Sequence, residues 1–136
     1  MTFPELIRGE EEILNRLLLV SQRQLEIAEA GNATVLIEHL GLRQQLWHEF
    51  ERLDQQLAPH KGIPPEQRVW KSAEERQQTE AVLNRCKGLL EQILANDQIS
   101  METTAARRDE VGEQLRRIQR STTVAPAYLK QSQMQQ

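Results

Sequence analysis

One stretch of this chain offers no obvious place for a helix to stop. Between residues 73 and 120 there is no proline, and glycine occurs only twice. Ser72 and Glu75 match the Ser-x-x-Glu capping box, which marks a helix start because its side chains bond backbone amides that the first turn leaves free. We therefore predict a third helix over about residues 73–120, which would be ~72 Å long at 1.5 Å per residue.

The weakest part of this predicted helix lies near its middle. Its apolar spacing is interrupted by Asn96, Asp97 and Ser100. Asp97 could cap a fourth helix, which would turn the chain into a compact four-helix bundle. Such a reversal would have to be made without the glycine or proline that tight connections commonly use. We favour the continuous helix and keep the four-helix bundle as the alternative.

Two shorter helices are predicted before the long one, over about residues 3–30 and 33–58. Thr2 can cap the first of them. Gly31 can take the left-handed conformation found just past many helix ends, and Asn32 can cap the second helix. A connection this short makes an antiparallel hairpin. The predicted fold is therefore all-α, an antiparallel helical hairpin plus a long third helix in a three-helix, coiled-coil-like bundle.

Composition supports a single helical domain. Aromatic residues make up only 4% of the 136 residues, and the net charge of −3 gives no general attraction to nucleic acid. No apolar run approaches the ~20 residues that a membrane-spanning helix needs, so we expect no membrane insertion. We interpret residues 1–120 as one domain and residues 121–136, which lack a helical stripe, as a flexible C-terminal tail.

The single cysteine and the N-terminus favour a cytoplasmic location. Cys86 cannot form an internal disulfide and falls on an apolar stripe, so we interpret it as a small core residue in a reducing compartment. The first residues lack the basic region and apolar segment of a signal peptide.

Catalytic and metal-binding patterns are absent or weak in the sequence. His39 and His48 are nine residues apart, which places them on opposite sides of a helix, and His60 follows beyond them. No zinc-protease motif, glycine-rich phosphate loop or nucleophile motif occurs. We therefore expect neither an enzyme nor a bound cofactor or metal.

The two tryptophans receive different interpretations. Trp47 and Phe50 lie one turn apart and are predicted to pack the hairpin against the third helix. Trp70 precedes the third helix, where it could either staple that helix to the bundle or serve as a surface anchor. The sequence does not decide between these two roles.

The third helix is nearly twice as long as the hairpin, so we expect only its first half to lie against the hairpin. Its second half then carries an apolar stripe that needs a partner from another chain. We predict this partner-binding stripe to consist of Met101, Ala105, Val111, Leu115 and Ile118. A homodimer is the other way to cover the same stripe.

The order of these features resembles the FlgN family of flagellar export chaperones. The similar stretches are "EAGNATVLIEHLGLRQQL" at residues 29–46, "LLEQILANDQISMETTAARRDEV" at residues 89–111, and "TVAPAYLK" at residues 123–130. Together with a leucine-rich first helix, they extend the resemblance over nearly the whole chain, and each is rich in residues that also recur in unrelated coiled coils.

The resemblance implies a cytoplasmic, non-enzymatic chaperone. Such proteins bind the C-terminal helical segments of hook-associated proteins, which form the hook–filament junction, prevent their premature assembly and deliver them to the export apparatus. The resemblance also implies that the second half of the third helix binds this client and that Tyr128 contacts the export gate. The chain lacks an Asp and a Gly soon after that tyrosine, which departs from the family pattern.

The alternative function is structural. A coiled-coil or scaffold subunit that self-associates, such as a stalk component of an export apparatus, would have the same composition. Stalk proteins of that kind are usually a single helical hairpin, so the capped restart at Ser72 favours the chaperone hypothesis.

Overall fold

Every regular secondary-structure element in the part of the chain that the structure describes is a helix. The computed structural model describes residues 1–121, with side chains up to residue 118. Its elements are the helices α1 (Phe3–Ala30), α2 (Ala33–Lys61) and α3 (Ala73–Ser121), with a short 3-10 turn at Pro65–Gln67. The predicted flexible tail lies outside the described residues, apart from Ser121 at the end of α3.

The predicted caps at the hairpin ends are present. The hydroxyl of Thr2 accepts a hydrogen bond from the amide of Glu5, and the Glu5 carboxylate accepts one from the amide of Thr2. Gly31 has a φ of +72°, and its amide bonds the carbonyl of Ile27 at 3.1 Å. The side chain of Asn32 accepts from the amide of the third helical residue at 3.1 Å. Left-handed glycine and an asparagine cap together explain a two-residue turn between long helices.

The ends of α2 and α3 differ slightly from the sequence expectation. α2 continues three residues beyond the predicted end, through Pro59 to Lys61. Pro59 lies two residues before the end of the helix, so its missing amide removes one hydrogen bond close to the last turn, where carbonyl groups are unpaired in any helix. The hydroxyl of Ser72 accepts from the amide of Glu75 at 3.1 Å, as the capping box predicts.

α1 is the central helix of the bundle, because it packs against both α2 and α3. Gly9 near the start of α1 lies against Leu53 near the end of α2, so these two helices run in opposite directions. Arg85 of α3 donates to Glu11 of α1 at 2.6 Å, and Asn96 of α3 donates to Ser21 of α1 at 3.0 Å. α3 therefore runs parallel to α1. The fully buried large aliphatic side chains between the helices are Leu6, Leu14, Leu17, Leu57 and Ile93.

Trp70 staples the start of α3 to the open end of the hairpin, which decides between its two predicted roles. Its ring meets the ring of Phe3 edge-on at a centroid distance of 6.0 Å. The guanidinium of Arg68 lies 4.2 Å from the centroid of the same phenyl ring, and the ring of His60 lies 5.7 Å from it. This aromatic cluster closes the bundle at the end opposite the hairpin turn.

Candidate binding surface

α3 does not break at its polar middle, where Asn96 and Asp97 meet polar partners on the other helices. The amide of Asn96 bonds the hydroxyl of Ser21, which in turn donates to the carbonyl of Leu18 at 2.8 Å. Arg43 of α2 forms an ion pair with Asp97. The four-helix alternative required a chain reversal at this point, and the structure instead shows one helix of 49 residues.

The hairpin covers more of α3 than the sequence predicts. The guanidinium of Arg107 lies 3.5 Å from the position that a β-carbon on Gly31 would occupy, so the hairpin turn is level with Arg107. Thr104 also lies at this turn, in a small pocket shared with Leu36. The expectation that only the first half of α3 would be covered is therefore wrong. α3 runs parallel to the whole length of α1. The 28 residues of α1 therefore cover α3 as far as Arg107.

The remaining part of α3 extends beyond the hairpin turn, and we call residues 108–121 the overhang. It contains about fourteen residues and is ~21 Å long. Val111 and Leu115 are 54% and 55% exposed, and Ile118 is 57% exposed. Steps of 100° per residue place these three side chains within a sector about 60° wide. They form one apolar stripe along the overhang.

The overhang stripe continues the face of α3 that packs against α1. Val111 follows Ile93 by eighteen residues, which is five full helical turns, so both side chains point in the same direction. Ile93 is fully buried in the bundle. Ser100 lies within about 20° of this line and is 2% exposed. Any helix that covers the overhang stripe must therefore lie on the line that prolongs α1 beyond the hairpin turn.

The two other predicted partner-binding residues belong to a different side of α3. Relative to Val111, Met101 lies about 80° and Ala105 about 120° around the helix axis. Met101 is 66% exposed, whereas Ala105 is half-buried beside the hairpin. The structure thus divides the predicted five-residue stripe into two groups. Both groups remain predicted binding residues.

Met101 has an exposed apolar neighbour in the first half of α3, which the sequence predicts to lie against the hairpin. Leu94, seven residues earlier and so on the same side of α3, is 61% exposed. Its neighbour Ile93 is fully buried. A helical wheel could have predicted this difference. Adjacent residues lie 100° apart around the axis, so only one of Ile93 and Leu94 can point directly at α1.

α2 supplies further exposed apolar surface next to this side of α3. Leu40 is 41% exposed, and it lines a shallow pocket of about 280 Å³ together with Arg43 and Trp47. Trp47 and Phe50 are half-buried and meet edge-on at a centroid distance of 5.6 Å. Their predicted packing is partly correct: they pack against the core, but Trp47 also reaches the surface.

The structure places His39 at a contact between two helices and Cys86 in the core. Among residues 1–121, no cluster of three or more His, Cys, Asp or Glu side chains is placed to hold a metal ion. His39 contacts the carbonyl of Val20 at 2.6 Å, a structural role that joins α1 to α2. Burial, together with the nearby charge of Glu11, raises the pKa of the Cys86 thiol to about 11, so the thiolate is disfavoured. None of the described helices is sufficiently long and apolar to span a bilayer.

Comparisons with protein families, curated proteins and solved structures found no significant match to this chain. The FlgN resemblance therefore remains a prediction from the residues quoted above. Tyr128, the predicted export-gate contact, lies outside the described residues.

Proposed function

We propose that this chain is a non-enzymatic cytoplasmic chaperone that binds an amphipathic helix of another protein on the overhang of α3. The observation that carries this proposal is the exposure of Val111 and Leu115, which are both more than half exposed. They lie on the face of α3 that is fully buried at Ile93. Exposed aliphatic residues arranged along one face of a helix are typical of surfaces that bind a partner helix.

The hairpin turn restricts what kind of helix can bind there. A helix on the overhang stripe lies on the prolonged axis of α1, so it meets the hairpin turn at Gly31 and must end there or bend away. A chain terminus satisfies this condition more easily than an internal helix. This restriction supports the client class that the FlgN resemblance implies, the C-terminal helical segments of hook-associated flagellar proteins.

The free energy of binding requires more than the overhang stripe alone. Burying a large aliphatic side chain completely is worth ~1.5–3 kcal/mol, and about half of each of these side chains is already buried. Three such residues give on the order of 2–5 kcal/mol, which is at the low end of the ~4–15 kcal/mol that association costs. Met101, Leu94 and the Leu40–Trp47 surface offer the additional apolar area that a stable complex needs.

The direct test measures binding of the full-length chain to a peptide comprising the C-terminal helix of a hook-associated protein. We expect the double variant Val111→Asp/Leu115→Asp to keep its helical circular dichroism and to bind at least ~100-fold more weakly, because two charges would face the peptide's apolar side. Leu19→Asp is the matched control, since Leu19 is 67% exposed on the far side of α1. Unchanged binding by a folded double variant would contradict the proposed surface.

A second test concerns delivery to the export gate, which the resemblance assigns to Tyr128. Tyr128→Ala is expected to leave peptide binding unchanged while weakening binding to the flagellar export gate. Loss of peptide binding in this variant would argue against separate client and gate surfaces. The structural-subunit alternative instead predicts no binding of either partner by the wild-type chain.

A further inference from the structure

The overhang has an uneven distribution of charge along its length. Its first half has three acidic residues, Asp109, Glu110 and Glu113, and one basic residue, Arg108, whereas its second half has only basic charges, at Arg116, Arg117 and Arg120. Glu113 lies at the boundary and pairs with Arg116 at 3.0 Å within the helix. A second copy of the overhang placed antiparallel to the first would bring the acidic half of each beside the basic half of the other.

The apolar stripe is compatible with the same arrangement. Leu115 lies near the centre of the overhang, with Val111 four residues before it and Ile118 three residues after it. A two-fold axis at Leu115 pairs the two Leu115 side chains with each other. The same axis places Val111 of one copy against Ile118 of the second copy, so each half of the stripe covers the other half.

The hairpin excludes the parallel arrangement. The stripe faces the prolonged axis of α1. In a parallel pair, the N-terminal part of the second α3 would therefore collide with the hairpin of the first copy at Gly31. In an antiparallel pair, the N-terminal part of the second α3 extends away from that hairpin, and its Ser121 lies close to the level of residue 109 of the first copy. The described part of the second α3 thus lies above the hairpin turn of the first copy.

We propose that two copies of this chain associate through their overhangs as an antiparallel, two-fold symmetric pair, covering Val111 and Leu115 when no partner helix is bound. Overhangs of this length bury much less than the ~1,200 Å² of a standard interface, so the pair is weak and a partner helix can displace it. Because the apolar area of two stripes only just exceeds the lowest cost of association, we expect a dissociation constant on the order of 0.1–1 mM. The proposal shares a surface with the proposed function but requires no client.

The charges also predict how salt affects the pair. Glu110 and Arg117 lie on one side of the helix, about 110° to 130° from the middle of the apolar stripe. They therefore attract the opposite charges of the second copy at a distance and not as direct ion pairs across the stripe. Salt screens exposed charges, and the association should therefore weaken at high ionic strength.

The test uses the purified full-length chain alone, so its outcome is independent of the client hypothesis. Sedimentation equilibrium from about 10 µM to 1 mM is expected to show a reversible monomer–dimer equilibrium. Leu115→Asp should weaken dimerisation by about 100-fold, since each dimer loses two buried leucines and each 1.4 kcal/mol is a tenfold change. Leu19→Asp should leave it unchanged. A wild-type chain that stays monomeric over the whole range would overturn the proposal.

Cysteine cross-linking determines the orientation. We would oxidise Val111→Cys alone, Ile118→Cys alone and an equimolar mixture of the two, with the wild-type chain, whose Cys86 is buried, as the blank. The antiparallel pair predicts a disulfide between the two different variants in the mixture and little disulfide in either variant alone. Efficient disulfide formation by Val111→Cys alone would contradict the two-fold arrangement about Leu115.

Discussion

The bundle below the overhang has two halves that are held together in different ways. The base half consists of residues 3–17, 46–61 and 73–93, and the tip half consists of the remaining helical residues up to Arg107. The base half is joined by aliphatic and aromatic contacts. The tip half relies far more on polar contacts between helices, and several of its apolar side chains are exposed.

The base half contains most of the fully buried core. Leu6, Leu14, Leu57 and Ile93 are each 2% exposed or less. Phe3 and its ring neighbours close the end of this half. Burial of this kind supplies most of the free energy that keeps small domains folded.

The tip half has a different composition at its interfaces. Between residues 33 and 45, α2 has no fully buried side chain, and Ile37 is 70% exposed. Its contacts with the other helices include the ion pair of Arg43 with Asp97 and the contact of His39 with α1. The tip half should therefore open at a lower free energy than the base half, which suits a surface next to the overhang that must adapt to a partner.

The largest difference between the halves is expected from truncating one leucine in each. Leu57→Ala in the base half should reduce the free energy of unfolding by ~2–5 kcal/mol, because Leu57 is 2% exposed and a cavity would remain. Leu40→Ala in the tip half should cost less than ~1.5 kcal/mol, since Leu40 is 41% exposed. Urea unfolding of the two variants measures both values. Equal losses would show that the tip half is packed as firmly as the base half.

Sequence patterns predict this architecture well and its interfaces less well. The caps at Thr2, Gly31, Asn32 and Ser72 depend on local backbone chemistry, so they can be predicted from neighbouring residues alone. The side chains that meet Asn96 and Asp97 lie on other helices, more than fifty residues away in the chain. Periodicity predicts that a helix has an apolar face, but not which part of that face a neighbouring helix covers.

The same limit explains the uneven outcome at the candidate surface. Val111 and Leu115 follow from the apolar spacing together with the length mismatch. Leu94 and Met101 are exposed because they lie about 80° to 100° around α3 from the face that packs against α1, and whether another helix covers that side depends on the packing of all three helices. The boundary at Arg107 depends on the parallel register of α1 and α3, which single-sequence patterns do not specify.

A buried carboxyl group makes the base half sensitive to pH. Burial, together with the negative charge of Asp54 and against the opposing effect of Lys61, raises the pKa of Glu10 from its ordinary 4.5 to about 7. The unfolded chain ionises near 4.5 and the folded chain only near 7, so stability should fall as pH rises from 4.5 to 7, by on the order of 1–3 kcal/mol.

Glu10→Gln should remove this pH dependence and make the chain more stable than the wild type above pH 7. Glu12→Gln is the matched control, because Glu12 lies on the exposed face of α1 and forms a surface pair with Arg16. Thermal unfolding across the pH range provides the measurement. A wild-type stability that rises between pH 4.5 and 7, with no change in slope in Glu10→Gln, would mean that another group dominates.

A smaller effect is expected from the ion pair in the tip half. Arg43→Met should destabilise the chain by ~1–2 kcal/mol, because the Asp97 side chain is only 13% exposed and would lose its charged partner. Arg43→Met/Asp97→Leu should be more stable than Arg43→Met, since no unpaired charge remains. Arg16→Met, which breaks a surface pair, should change stability by less than ~0.5 kcal/mol. Additive losses in the double variant would show that the two residues are not coupled.

The central claim is that α3 passes the hairpin turn as one helix and presents Val111 and Leu115 beyond it. A distance measured by pulsed electron paramagnetic resonance between spin labels at Thr34→Cys and Arg117→Cys tests this claim directly. Because Arg117 lies ten residues above the level of the hairpin turn, the continuous helix predicts about 20 Å between the labelled backbone positions. A fold that reverses near Asn96 predicts about 45 Å, and a distance near that value would contradict the account.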